Sequence, residues 1–131
     1  MNTKLSKILA EISAGELIDK ITILEIKKVK ITNKNKLAEV EKELLSLNET
    51  MKKFIPDNPN ILKFKDELKD INLKLWNIEN DKRLAEKNKV FDKKFIELAR
   101  NVYKSNDQRA KIKLEINNVL GSNIKEVKSH E

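Results

Sequence analysis

The chain contains no cysteine and a single histidine, His130, near its C-terminal end. The first absence removes disulfides, thiolate nucleophiles and zinc–thiolate sites, and the second leaves too few imidazoles for a metal centre or a Ser-His-Asp triad. Neither a metal nor a cofactor is expected. Glycine and proline occur twice each, which excludes collagenous and linker-like material. No apolar stretch runs more than a few residues before Lys, Asp or Glu interrupts it, so no membrane span is expected. Met1 to Ala10 lacks a signal-peptide apolar region, and a cytoplasmic location is the resulting expectation. What remains is 131 residues, 39% apolar and 37% charged, enough for one folded domain over residues 1–131 built around a single core.

Arginine is scarce as well. Of 28 basic residues 25 are Lys, and the three Arg are Arg83, Arg100 and Arg109. A net charge of +7 favours a polyanionic partner, since clustered cations bind phosphates by counterion release. Here the cations never run longer than two and are interspersed with 21 acids. No Gly-rich basic loop or interleaved aromatics mark a nucleic-acid reader. The 15 Asn and 15 Ile are the mark of an AT-rich coding sequence, which inflates Lys whatever the function. The Arg residues that persist are therefore the more informative cations, because a guanidinium presents a rigid fork to carboxylate or phosphate.

The hydrophobic pattern is helical nearly throughout. Ser13-Ala14-Gly15-Glu16 is a capping-box pattern that starts a helix over 14–31, and Asn33 to Asn35 supplies a turn. Leu37, Val40, Leu44, Leu47, Met51 and Phe54 alternate spacings of three and four, a heptad seam over a helix at 34–54. Pro56 and Pro59 break it. Ile61, Phe64, Leu68, Ile71, Leu75 and Ile78 then repeat the spacing over 60–87, so the two seams predict an antiparallel, coiled-coil-like hairpin. Asp92 caps the next helix, and Ser105-Asn106-Asp107 predicts a break into segments 92–104 and 106–120, ended by Gly121. The expected fold class is all-α or nearly so, a four- to five-helix bundle around that hairpin. The one addition is a small two-stranded pairing of Leu5 to Ile12 with the tail.

Three constellations depart from the pattern. Glu25 falls on the apolar arc of the first helix, between Ile21 and Ile18, and a carboxylate there must find a cation, find donors or take up a proton. Asn72, Trp76, Glu79 and Arg83 share a strip beside the seam of the third helix, either a platform for a sugar, a base or an anionic ring, or a large residue sealing the bundle. Tyr103, Asn106, Asp107 and Arg109, following Arg100, would form an anion pocket at a helix start, or serve only as caps. The acidic run from Glu39 to Glu43 has lysines at helical distance and reads as a solvated face.

The run Gly15 to Lys27, GELIDKITILEIK, resembles the signature of an uncharacterised bacterial family of short helical proteins, a domain of unknown function. Leu75 to Glu79 with Arg83, and Phe95 to Arg100 continuing through Tyr103, Asn106-Asp107, Arg109 and Lys113, carry the same resemblance over nearly the whole chain. It implies a helical fold and no mechanism. A fainter likeness to all-helical chorismate mutases would require a cation from the first helix, where only Lys20, Lys27, Lys28 and Lys30 are available. The first functional expectation is a helical interaction or accessory protein, self-associating as a homodimer. The second is a small-ligand site or enzyme gathering Glu25, Trp76, Arg83, Arg100 and Arg109, and nucleic-acid binding is the third.

Overall fold

The computed structural model describes residues 4–131; residues 1–3, part of the Met1 to Ala10 stretch read above, lie outside it. Four helices follow one another: α1 Ala14–Lys30, α2 Lys34–Phe54, α3 Pro59–Lys87 and α4 Lys93–Leu120. No strand occurs among the described residues. Each helix starts on a side-chain cap. Ser13 Oγ accepts from the Glu16 amide, Asn33 Oδ1 from Lys36, Asn58 Oδ1 from Asn60 and Asp92 Oδ1 from Phe95. Gly121, in the left-handed region at φ 63°, ends α4 as expected.

The central element is α1, the shortest helix. Leu17, Ile21 and Leu24 pack on Val40 and Leu44 of α2, while Ile18 packs with Ile61 and Leu68 of α3 and Ile116 of α4. Met51 and Ile55 touch both clusters at the α2–α3 corner. Helix α1 thus has almost no polar face to turn to water, which is the pattern of a helix surrounded by others.

This arrangement corrects the expected hairpin. Both heptad stripes exist, but α2 packs only on α1, whereas α3 packs on α1 and α4. The spacing correctly identified which residues share a face; it carried no information about which helix that face meets. The antiparallel hairpin is formed instead by α3 and α4, joined through residues 88–92. Position Lys89 there adopts φ 57°.

Three smaller expectations are also corrected. Helix α4 is continuous through Ser105, because Ser105 is buried at 1% exposure and Asn106 accepts from the Arg109 side chain, so neither caps an amide. The termini meet without strand pairing: Asn123 donates to Glu11 at 2.6 Å, and the Ala14 amide donates to Ser122 Oγ at 3.1 Å. Helical spacing from Leu17 puts Val29 beside Ile18 at the edge of the α1 apolar arc, yet Val29 is 79% exposed.

Candidate functional site

Within α1 the segment Leu17-Ile18-Asp19-Lys20-Ile21-Thr22 buries apolar groups toward α2 on one side and toward α3 and α4 on the other. Asp19 and Thr22, one turn apart, are therefore carried into the interior, and both are fully buried. Asp19 cannot remain an unpaired anion there. Arg109 of α4 holds it as a fork, Nε donating to Oδ1 at 2.9 Å and Nη2 donating to Oδ2. Asn72 Nδ2 of α3 donates to Asp19 Oδ1 and to Thr22 Oγ1, both at 2.9 Å, and the Thr22 hydroxyl donates to the Asp19 carbonyl at 2.7 Å. One polar knot thus ties three helices at their crossing.

The hydrogen bonds Arg109 donates to Asp19 raise the Arg109 pKa against the opposing effect of burial, so the guanidinium is a permanent cation. Two of its nitrogens are committed to Asp19. The third, Nη1, points to Asn106 Oδ1 at 3.5 Å, and the side chain keeps 27% of its surface accessible.

That accessible surface lines an open cleft of about 400 Å³ between α1, α3 and α4. Its apolar lining is Ile23 and Ile26 of α1 with Leu75 and Trp76 of α3. Its polar lining comes from Asn72, Glu79, Asn80 and Arg83 together with Arg109. Glu79 is engaged by Lys82 at 3.5 Å, not by Arg83 one turn on. Arg83 makes no ion pair among the described residues.

Of the residues singled out in the sequence, Asn72, Trp76, Glu79, Arg83 and Arg109 converge on this cleft, and Asn106 steadies Arg109 from one turn away. The others lie elsewhere. Glu25 pairs with Lys65 at 3.5 Å and Lys69 at 3.9 Å of α3, a structural ion pair outside the cleft lining. Arg100, Tyr103 and Asp107 are exposed on α4 and take no part in the lining. The anion pocket expected at a helix start there has no free amides, since the segment is mid-helix. The cleft also receives no cation from α1, which offers only Ile23 and Ile26.

Sequence reasoning missed Asp19 and Thr22. The usable signal was the run from Leu17 to Ile26, whose apolar residues fall on nearly every side of the helix, so that Asp19 and Thr22, flanked by Ile18, Ile23 and Ile26, are carried inward.

A second polar row fastens the start of α1 to α4. Asn117 Oδ1 accepts from the Gly15 amide at 2.7 Å, and buried Lys113 donates to Glu16 at 2.7 Å while pairing with Glu126 at 2.6 Å. Glu16 thus serves Lys113 instead of closing the capping box. For Lys113, burial is the largest influence and pulls its pKa down, but Glu126 and Glu16 together outweigh it and the net shift is upward. The first amides of α1 are all occupied by Ser122, Asn117 and Ser13, which leaves no anion seat at that helix end.

No helix among the described residues is long and apolar enough to cross a membrane. Comparison with curated proteins and with solved structures gives no match. A family model matches residues 8–131, a span that takes in both polar rows, the cleft and all four helices: the chain belongs to a family of unknown function, DUF6165.

Proposed function

We propose that the protein binds a small ligand combining a flat ring or sugar face with an anionic group, in the cleft beside Trp76. The observation that carries this reading is the pairing of a free cation with a fixed one. Arg83 has no carboxylate of its own, while Arg109 is held from behind by a fully buried aspartate. Buried ion pairs are weak devices for stability, because desolvation offsets their attraction. Such a pair at the edge of a cleft is better accounted for as a means of fixing a guanidinium in advance of a ligand. Trp76 supplies a face for stacking, and Asn72 and Asn80 supply amides that discriminate ring substituents.

The cleft's single carboxylate, Glu79, already faces Lys82, and the lining holds no hydroxyl, thiol or imidazole to act as a nucleophile. Binding is therefore the function proposed, consistent with an accessory role. Trp76 is the only tryptophan, so its emission reports on this cleft alone. Titration with phenyl phosphate is expected to change that emission saturably, and Arg83→Ala is expected to weaken the response about 10-fold or more, the worth of a charged hydrogen bond. A response that is linear in phenyl phosphate, or equal in wild type and Arg83→Ala, overturns the proposal.

A further inference from the structure

The α3–α4 hairpin is covered along only part of its length. Between Ile78 and Ser105 no residue is buried, so its outer end is a two-helix ribbon with an open seam. Helices draw most of their stability from packing an apolar face, and here that face has no partner. A groove of about 570 Å³ runs along it, with Leu84, Ala85, Val90, Phe95 and Leu98 as its apolar lining. Leu84 and Val90 are 57% and 46% exposed. The charged groups along the groove are Asp81, Asp92 and Glu97 against one cation, Lys94. It is an acidic groove on a chain of net charge +7.

At the opposite end of the molecule the segment Lys4 to Ile12 lies outside any helix, with Leu5, Ile8 and Leu9 exposed at 74%, 82% and 87%. Its apolar residues nevertheless follow helical spacing: Leu5, Ile8, Leu9 and Ile12 occupy positions i, i+3, i+4 and i+7. Lys4 flanks that stripe beside Ile8, while Lys7 and Glu11 fall on the other face. This is the anchor pattern of an amphipathic helix that lies in a groove.

We propose that the Lys4–Ile12 segment of one copy docks as a short helix in the Leu84–Phe95–Leu98 groove of a second copy, forming an arm-exchanged homodimer. The groove lacks a third helix and carries excess negative charge; the arm leaves Leu5, Ile8 and Leu9 exposed, and Lys4 flanks their stripe where it would meet the acidic rim. Reach excludes the same copy. The arm is held at Glu11 by Asn123, beside the end of α4. From Gly121 back to Leu98 is about 35 Å along that helix, whereas Lys4 to Ile12 coiled as a helix spans only about 13 Å. Two reciprocal arms close the assembly under a two-fold axis, so it stops at a dimer.

The absence of cysteine makes the test clean. Two single-cysteine proteins, Lys4→Cys on the flank of the docking stripe and Glu97→Cys in the groove lining, are mixed and oxidised, and the mixed disulfide is expected to dominate over either like pair. Sedimentation of the unmodified chain is expected to give a dimer. The variant Ile8→Asp with Leu9→Asp is expected to dissociate it, raising the dissociation constant about 100-fold or more. Both positions are exposed, so circular dichroism should show α1 to α4 intact in that variant. A wild-type monomer, a dimer indifferent to the two aspartates, or preferential linkage between two copies of Lys4→Cys each overturns the proposal. None of these outcomes bears on ligand binding beside Trp76.

Discussion

Replacing Arg109 by alanine tests the polar knot at its most sensitive point. The Asp19 carboxylate is 0% exposed and receives two donors from Arg109 and one from Asn72, which is shared with Thr22. In Arg109→Ala only the shared amide remains, at a site water does not reach. An uncompensated buried charge of this kind costs about 3–5 kcal/mol, a large part of the roughly 5–15 kcal/mol that holds an ordinary domain together. Asp19→Asn is the contrasting perturbation. It leaves Arg109 unpaired, but that side chain is 27% exposed and can hydrate, so the cost falls to about 1–3 kcal/mol. The double variant should then be no less stable than Arg109→Ala alone, giving a coupling energy at least as large as the Asp19→Asn cost, about 1–3 kcal/mol. Urea unfolding followed by circular dichroism and by Trp76 emission measures all four proteins. A loss below about 1 kcal/mol in Arg109→Ala, or additivity of the two single changes, would refute the reasoning.

Two further predictions concern the fastening of α1 to α4. Alanine ordinarily improves on glycine in a helix, yet a Cβ on Gly15 would lie 2.5 Å from the Lys113 carbonyl oxygen and 3.0 Å from Asn117 Oδ1. Gly15→Ala should therefore destabilise by about 1–3 kcal/mol, against the sign of the intrinsic preference, and a thermal melt at or above the wild-type midpoint would contradict this. The pKa of Lys113 is raised by folding, so its contribution is complete below its ordinary value of 10.5 and is lost as pH climbs through the higher folded value. The stability difference between wild type and Lys113→Met should accordingly shrink only in the alkaline range. A difference that instead vanishes between pH 7 and 9 would show that Glu16 and Glu126 do not hold the ammonium.

Much of the local structure was legible, and its limits are instructive. Ser13, Asp92 and Gly121 act as the caps their sequence context announces, and the stripes on α2 and α3 are the faces turned inward, except Phe54, which is 67% exposed. Helical spacing describes one helix at a time, however, and the insertion of α1 between the two stripes is a tertiary fact with no local signature. The same limit explains α4. Ser105, Asn106 and Asp107 favour a turn by local propensity, but α4 stays continuous: Ser105 is buried with its hydroxyl unpaired, Asp107 is exposed, and Asn106 accepts from Arg109 one turn on. At the cleft, the strip through Trp76 and Arg83 was readable because it sits on one helix. Its counterpart Asp19, which fixes Arg109 from behind, is 90 residues away in sequence. Glu25 stood out as a carboxylate on an apolar arc, and two lysines from α3 absorb it.

The most direct test of the cleft is a nuclear magnetic resonance titration that follows the Trp76 indole N–H together with the Nε–H groups of the three arginines. On addition of phenyl phosphate, Trp76 and Arg83 are predicted to shift along one saturable curve and Arg109 to follow, while Arg100, exposed and outside the cleft, stays in place. Equal movement of Arg83 and Arg100, with Trp76 unmoved, would mean diffuse attraction to a basic surface and would contradict a ligand site beside Trp76.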